Sequence, residues 1–413
     1  MRPKTSPAWR AFRIAAVGLG IAGLFDLAPQ AQEAVTALEN VRVIVGDGRA
    51  PIENATIVIS GGRIAQLGPS ASVRVPAGAV RVNLAGKTVM PTIVDTHVHL
   101  STTREALLTD LRRRAQFGVG AAMSLGLDPP GDVFKVRGEA PAGVARYFTA
   151  GRGITLPEPG RTQVPYWVTT EAEARQAVRD QAALQVDFIK IWVDDREGQY
   201  KKMPPAIYAA VIDEAHKAKL RVAAHIYNLA DAKGLLQAGI DVFAHGIRDV
   251  DVDDELVGLI RARKQVVLIP NMPDRGVAAD YSWLKGAVPD AELSKIQAAS
   301  TDRPQVQAVW GIQARNLKRL SDAGVTIALG TDGNTAWAPH VEMADMVAAG
   351  MTPMQVIVAA TRNGAEFLRM NDSGIIATGK RADLLVLDGN PVDDITNTRK
   401  ISAVYLHGVK VER

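Results

Sequence analysis

The sequence predicts an α/β fold in which a (β/α)8 TIM barrel carries a small β-sandwich domain built from both chain termini. The chain has 413 residues, 47% of them hydrophobic, which is enough for one large domain and a smaller one. Short β-like runs occupy both ends of the chain, whereas its middle alternates strand-like with helix-like stretches. A doubly wound sheet is the alternative arrangement for that middle region.

Residues 1–31 have the pattern of a secretory leader. Basic residues precede an apolar stretch from Ile14 to Phe25, and small residues follow it. The apolar stretch is shorter than the roughly 20 residues that a membrane-spanning helix needs. We therefore expect cleavage near Ala31 and an exported protein, periplasmic or secreted. Anchoring in the membrane through an uncleaved leader is the alternative.

The charge distribution argues against a polyanionic partner. The formal net charge is +4, but Arg2, Lys4, Arg10 and Arg13 outweigh Asp26 within the leader, so the remaining chain is nearly neutral. We expect no nucleic-acid partner and, after leader removal, no membrane partner. The chain contains no cysteine, which excludes a disulfide framework.

Two β-rich segments predict the smaller domain. Residues 36–89 contain short β runs separated by turn residues, including the hairpin signal Gly61-Gly62. Residues 371–413 have the same character. Each segment is too small to bury a core alone, so we expect them to pair as the first and second parts of one β-sandwich. Residues 90–370, between them, then form the barrel.

The middle region contains eight apolar strand candidates, several of them separated by helical patterns. In chain order they are TIVDTHV, VGAAMSLG, ARYFTA, DFIKIWV, RVAAHIY, DVFAHGI, QVVLIP and VTIALGTD. Eight strands that mostly alternate with helices favour a closed barrel, in which the active site lies at the carboxyl ends of the strands.

Ionisable side chains fall within or at the ends of five of these strands. They are His97 and His99 on the first, Lys190 on the fourth, His225 on the fifth, His245 on the sixth and Asp332 on the eighth. His97 and His99 point to the same side because side chains alternate along a strand. Each residue alone could be structural, but burying all of them at one barrel mouth is costly without a partner. Imidazole and carboxylate groups are ligands for zinc and related ions, so the pattern predicts a divalent metal site.

Three further residues are candidates for substrate binding. Tyr227 lies two residues after His225 and should face the same side, as a hydrogen-bond donor to a substrate carbonyl or a ligand for a carboxylate. Arg248 is a second candidate for binding a carboxylate. His340, in the loop after the eighth strand, either contacts substrate or caps the next helix. His216 and His407 are expected to be structural or exposed.

Two long loops, after the third and seventh strands, carry aromatic residues. These are Tyr166, Trp167, Tyr281 and Trp283. Loops of this length commonly act as lids or binding loops. The aromatic residues either line a substrate site or only anchor the loops.

The order of strand-end residues resembles the amidohydrolase superfamily: His-x-His on strand one, lysine on four, histidine on five and six, and aspartate on eight. The resemblance covers nearly the whole chain after the leader, including "KRADLLVLDGNP" near the carboxyl terminus. The stretches "FIKIW" and "AHIYNLADAKGLLQAGIDVFAHG" resemble its prolidase-like and imidazolonepropionase-like branch. Imidazolonepropionases and other one-metal members lack the strand-four lysine, so Lys190 implies a binuclear member.

The resemblance implies a set of ligands and a cofactor. One divalent cation would bind His97, His99, Lys190 and Asp332, and the second would bind Lys190, His225 and His245; zinc is the expected metal. The Lys190 amine would be carboxylated by carbon dioxide and would bridge the two cations. Asp332 would also be the catalytic residue, taking the proton of a metal-bridging hydroxide and passing it to the leaving amine.

The expected activity is hydrolysis of an amide bond in a small molecule, either peptide-like or an N-acyl amino acid. Ester, lactone, carbamate or phosphotriester hydrolysis on the same site remains open, as does deamination. A non-catalytic metal-binding protein is the alternative of a different class. Relatives of this kind often associate, which leaves a homo-oligomer open.

Overall fold

The computed structural model describes residues 35–139 and 141–413 of the chain. The predicted leader, residues 1–31, lies outside them. Within the described residues, none of the helices combines the length and the apolar character needed to cross a membrane.

Both ends of the described chain consist mainly of strands, whereas strands and helices alternate in the region between them. The strands are β1 Thr36–Val43, β2 Ile52–Ser60, β3 Arg63–Pro69, β4 Val80–Asn83, β5 Thr88–Pro91, β6 Ile93–Val98, β7 Val119–Ser124, β8 Arg146–Thr149, β9 Ile154–Thr155, β10 Tyr166–Trp167, β11 Ile189–Trp192, β12 Val222–His225, β13 Val242–Ala244, β14 Val267–Ile269, β15 Thr326–Ile327, β16 Leu384–Leu387, β17 Ile401–Leu406 and β18 Val409–Lys410. The α-helices are α1 Arg104–Gln116, α2 Asp132–Glu139, α3 Glu171–Ala183, α4 Pro205–Lys217, α5 Leu229–Ala238, α6 Asp254–Ala262, α7 Asp290–Ala299, α8 Pro304–Asp322, α9 Ala338–Ala348, α10 Pro353–Val358 and α11 Gly364–Phe367.

The satellite sheet joins the two β-rich ends of the chain. Its strand order is β18-β17-β16-β5-β1-β2-β3, and β4 pairs with β1. The two ends meet where β16 pairs antiparallel with β5, with Leu385 opposite Met90. Both of these side chains are fully buried and belong to the same apolar cluster as the outer barrel residues, so this part of the sheet is packed against the barrel.

The barrel consists of β6, β7, β8, β11, β12, β13, β14 and β15, which coincide with the eight strand candidates of the sequence. The strands pair parallel as β6-β7-β8 and as β11-β12-β13-β14-β15. Backbone hydrogen bonds join these groups at both seams: Asp187 N donates to Thr149 O at 2.9 Å, and Thr96 N donates to Leu329 O at 2.9 Å. The predicted fold class is confirmed.

Local sequence signals set the ends of the barrel helices. At the start of α3 the Thr170 hydroxyl accepts from Glu173 N and the Glu173 side chain accepts from Thr170 N, a capping box. Helix α4 begins with Pro205, which lacks the N–H that would be unpaired there. Helix α5 ends at Gly239 with φ of 104°, a conformation that favours glycine. These short, defined connections bring the carboxyl end of each strand to one face of the barrel.

Candidate metal centre

The barrel mouth brings the predicted ligands together around Asp332. Asp332 Oδ1 lies 3.0 Å from Nε2 of both His97 and His99. Asp332 Oδ2 lies 3.5 Å from His245 Nε2. The ring centre of His225 lies 4.5 Å from that of His245. Residues from β6, β12, β13 and the segment after β15 therefore converge on one point, as the strand-end pattern predicts.

Two of these residues have positive φ angles, a backbone conformation that residues other than glycine rarely adopt. The φ angle is 88° at His245 and 55° at Asp332. Such conformations cost on the order of 1–3 kcal/mol and persist where surrounding contacts hold them. His245 N donates to Ile269 O at 2.9 Å, and Asp332 N donates to His97 O at 2.7 Å. The chain thus holds both side chains in place through the neighbouring strands.

Lys190 is fully buried in β11, and within the described residues its Nζ has no hydrogen-bond partner. Gly126 makes room for it, since an added Cβ would lie 2.8 Å from Lys190 Cγ. Burial lowers the pKa of Lys190 to about 7, although Asp332 acts in the opposite direction. A large fraction of this amine is therefore neutral near neutral pH.

Three other ligand candidates, His97, His225 and Asp332, also have the protonation states that metal binding requires. Burial lowers the pKa of His97 to about 4 and that of His225 to about 3, so both imidazoles are neutral. Burial alone would raise the pKa of Asp332, but the adjacent His97 and His99 hold it well below its usual range. Neutral imidazoles around an ionised carboxylate form a set of ligands for a divalent cation.

The geometry at His97 tests whether a cation fits. Asn271 Oδ1 accepts from His97 Nδ1 at 2.9 Å, which leaves the lone pair of the neutral ring on Nε2. Nε2 has no hydrogen-bond partner in the described part of the chain, although Asp332 Oδ1 lies 3.0 Å away. A cation shared between this lone pair and the carboxylate would satisfy both. The residues therefore fit a divalent metal ion, and ligand atoms of His97, His245 and Asp332 all lie within 4.8 Å of one another.

Asn271 and Asp194 are part of this site but were not among the residues predicted from sequence. Asn271, with φ of 43°, follows β14 closely. Asp194 Oδ2 lies 2.8 Å from His225 Nε2, and Arg196 Nη1 lies 3.1 Å from the same nitrogen. A residue that contacts the second ring nitrogen of a metal-binding histidine orients the ring. The available signals were weak: Asn271 directly follows the seventh strand candidate, and Asp194 lies four residues after Lys190, on the same face of the extended chain.

A buried ion pair lies beneath the metal centre. Arg114 of α1 donates to Asp95 Oδ2 at 3.0 Å, and both side chains are fully buried. Asp95 also accepts from the backbone N and the hydroxyl of Thr331, at 3.1 and 2.8 Å. This pair therefore anchors the segment that carries Asp332.

Tyr227 and Arg248 lie side by side at the rim of the site. The Arg248 guanidinium carbon is 5.4 Å from the centre of the Tyr227 ring, and Arg248 N donates to Tyr227 O at 3.0 Å. Burial lowers the pKa of Arg248, while the charge of Asp332 raises it. Arg248 Nε has no hydrogen-bond partner among residues 35–139 and 141–413. The arrangement leaves a partly buried cationic group next to the metal centre.

The structure contradicts the prediction of His340 as a substrate contact. His340 lies in α9, is fully buried, and donates through Nε2 to Phe117 O at 2.9 Å. Phe117 precedes β7, so this contact is at the amino end of the strand, away from the barrel mouth. The segment after β15 turns back into a helix and carries His340 away from the metal centre.

The aromatic residues of the long loops have mainly packing contacts. Trp283 and Tyr281 pack against Trp337, with ring centres 6.0 and 5.4 Å apart. Tyr166 lies under the Arg152 guanidinium, 4.0 Å from ring centre to carbon. These contacts support the alternative that the residues anchor their loops.

Comparison with known proteins agrees with this geometry. A model of the amidohydrolase family matches residues 88–411. An imidazolonepropionase of Deinococcus radiodurans is 26% identical over 388 residues, covering 87% of this chain and 92% of the relative. One from Cutibacterium acnes is 29% identical over 377 residues, covering 83% and 85%. The crystal structure of a putative prolidase from Bifidobacterium longum superimposes with a TM-score of 0.77 at 28% identity, covering 92% of this chain and 95% of that one. The chain therefore belongs to the amidohydrolase family, as its strand-end residues predict, and is a hydrolase that acts on carbon–nitrogen bonds.

Proposed function

We propose that this amidohydrolase cleaves the amide bond of a small substrate that carries a free carboxylate, such as a dipeptide or an N-acyl amino acid. The observation that carries the proposal is Arg248, a partly buried arginine beside the metal centre whose buried Nε has no hydrogen-bond partner in the described structure. A buried unpaired charge is costly, and a guanidinium binds carboxylates in a defined geometry. A substrate carboxylate would satisfy it.

Two divalent cations, with zinc as the first candidate, form the cofactor of this proposal. His97, His99, Lys190 and Asp332 would hold one cation, and Lys190, His225 and His245 would hold the other. When bound, such ions lower the pKa of water toward 7 and polarise the substrate carbonyl. The neutral imidazoles and the unpartnered His97 Nε2 support this assignment.

Lys190 would take part as a carbamate. Its neutral amine would attack the carbon of carbon dioxide, forming a C–N bond while one C=O electron pair moves to oxygen, and the amine would release a proton to water. The product is an anionic oxygen ligand in place of a cation. The burial of Lys190 and the absence of a hydrogen-bond partner for Nζ among the described residues support this step, since a permanently charged amine would repel a nearby metal ion.

The remaining residues position the substrate and move its proton. Asp332 is ionised and accepts the proton of the attacking water, then delivers it to the departing amine nitrogen as the C–N bond breaks. The Tyr227 hydroxyl would donate to the carbonyl oxygen, which gains negative charge during attack. Arg248 would bind the carboxylate and so fix the distance between that group and the scissile bond.

A comparison of matched substrates tests the proposal. We expect the zinc-loaded enzyme to hydrolyse N-acyl amino acids and dipeptides, and to lose most of this activity when the substrate carboxylate is replaced by a carboxamide. Arg248→Gln should lower kcat/KM for the carboxylate substrate by about 10- to 100-fold, as for a lost hydrogen bond to a charged group, and should leave the carboxamide rate unchanged. The control is Arg315→Gln, since Arg315 is exposed and pairs only with Asp251 in the described structure.

The zinc-loaded enzyme should also be assayed with other substrate classes: an aryl ester, a lactone, a carbamate, a phosphotriester, an imidazolone ring and a deaminase substrate. Faster hydrolysis of any of these than of all carboxylate-bearing amides would contradict the proposed substrate class. Equal rates for the acid and its carboxamide would contradict the role of Arg248.

A further inference from the structure

A second cavity lies away from the barrel mouth, where the loop after β14 meets the carboxyl-terminal segment of the chain. It has a volume of about 1020 Å³, and Gln116 and Phe117, which precede β7, form part of its wall. The metal ligands lie at the opposite, carboxyl ends of the barrel strands. The cavity is therefore separate from the candidate metal centre, and it is large enough for an organic ligand.

Basic side chains outnumber acidic side chains around this cavity. Its walls contain two acidic residues, Asp280 and Asp388, and five basic ones: Arg275, Lys285, Arg399, Lys400 and Arg413. Both acidic side chains have partners of their own, since Asp280 accepts from Ser282 N and Oγ, each at 2.8 Å, and Asp388 pairs with Lys87. The excess of positive charge in the walls therefore favours an anionic ligand.

Arg399 is the basic side chain whose surroundings point most clearly to a ligand. It ends the 3₁₀ helix Ile395–Arg399, is partly buried, and its guanidinium carbon lies 5.0 Å from the centre of the Trp283 ring. Its buried Nε has no hydrogen-bond partner in the described part of the chain. Burial lowers the pKa of Arg399, and acidic groups such as Asp345 oppose this shift only through their charge. The guanidinium thus lies in the cavity wall without a hydrogen-bonded carboxylate, and an anionic ligand would supply one.

The aromatic wall beside Arg399 is fixed from behind. The Trp283 ring packs edge-on against Trp337 and His340, with ring centres 6.0 and 5.9 Å apart. His340 is fully buried and donates to Phe117 O at 2.9 Å. Trp283 Nε1 is a second buried N–H that has no hydrogen-bond partner among residues 35–139 and 141–413. His340, which does not reach the barrel mouth, therefore helps to build the wall of the second cavity.

We propose that this cavity binds a small organic anion with two or more negative charges, of the phosphate-monoester or dicarboxylate type, with Arg399 as its main contact. The guanidinium would donate to two oxygens of one anionic group, because its forked geometry fits both carboxylate and phosphate. Lys285 and Lys400 would attract the remaining charge at longer range. The inference depends neither on the proposed substrate nor on the two-cation centre.

Calorimetric titration of the full chain with phenyl phosphate and with succinate, at low ionic strength, tests the inference. We expect at least one probe to bind, and the tighter one identifies the anionic group that the site prefers. Arg399→Gln should weaken binding about 10- to 100-fold, as for a lost hydrogen bond to a charged group. Lys285→Gln, at an exposed position, should weaken it about two- to fivefold through the loss of one surface charge. The control Arg315→Gln should bind like the parent, because Arg315 is exposed and lies outside the cavity wall.

The barrel mouth also contains a cationic side chain, and Arg248→Gln separates the two sites. Binding that persists in Arg248→Gln and is lost in Arg399→Gln supports the second site. The inference is overturned if binding is lost in Arg248→Gln but kept in Arg399→Gln, or if neither probe binds to the parent. Urea unfolding shows whether Arg399→Gln is folded. If it is not, Lys285→Gln decides, and an affinity equal to that of the parent would overturn the inference.

Discussion

Lys190 and Arg114 are both completely buried cationic side chains of the barrel, yet their surroundings differ. Arg114 pairs with Asp95 at 3.0 Å and donates to Gly333 O at 2.8 Å, beneath the barrel mouth. Lys190 Nζ lies in the mouth itself and has no hydrogen-bond partner in the described residues. A buried basic group that is left without a partner needs an explanation, and a ligand that binds to it is the explanation that our proposal gives. The comparison therefore supports the proposal that Arg114 holds the fold and that Lys190 serves the chemistry.

The largest expected effect comes from Lys190→Met. We expect activity toward the best amide substrate to fall by on the order of 10³-fold, since the bridging ligand and with it the activation of water are lost. The unfolding free energy of the metal-free protein should not fall, because the variant removes a buried polar amine that has no hydrogen-bond partner in the described residues. Metal analysis, rates and urea unfolding together check this. A clear loss of stability with activity retained would reverse the roles assigned to the two cations.

The complementary variant is Arg114→Leu. It leaves Asp95 buried without its partner, so the unfolding free energy should fall by about 3–5 kcal/mol in urea unfolding. Adding Asp95→Asn removes the remaining charge and should recover part of that loss. A change below about 1 kcal/mol for Arg114→Leu would show that the pair does not hold the fold.

The pH dependence of stability sharpens the comparison further. The pKa of Lys190 is lowered from 10.5 to about 7 in the folded protein, so between these values the unfolded chain binds a proton that the folded protein does not. The unfolding free energy of the folded protein, as far as it depends on Lys190, is therefore highest above about pH 10.5. It decreases as the pH falls to about 7, because the unfolded chain gains a proton that the buried amine does not. In protein free of metal and carbon dioxide, we expect this slope in the parent and a smaller slope in Lys190→Met. If the unfolding free energies of the parent and of Lys190→Met changed equally with pH, the pKa of the Lys190 amine would not be lowered in the folded protein.

The smallest effect is expected for an exposed ion pair. Arg315 and Asp251 pair at 2.8 Å with side chains 61% and 59% exposed. Arg315→Gln should change the unfolding free energy by less than about 1 kcal/mol and leave kcat/KM unchanged. A larger loss would mean that burial is not what separates Arg114 from surface pairs.

Much of the fold and of the site could be predicted because the relevant signals are local. Each barrel strand is recognisable in the sequence as a short apolar run. The alternation of side chains along the first strand places His97 and His99 on one side. The carboxyl-end rule of barrels then places Lys190, His225, His245 and Asp332 near them. All of these residues lie in or directly after strands, where the backbone determines side-chain direction.

The sequence by itself determined the barrel, its satellite sheet and the ligand candidates, since strand period and strand ends can be read from neighbouring residues. Only the tertiary structure decided that Asn271 and Asp194 contact the histidines, that Arg114 pairs with Asp95, and that His340 lies away from the site. These outcomes depend on contacts between loops or helices and strands far apart in the chain. The direction of a side chain outside a strand is set by such contacts and has no period that a sequence could display.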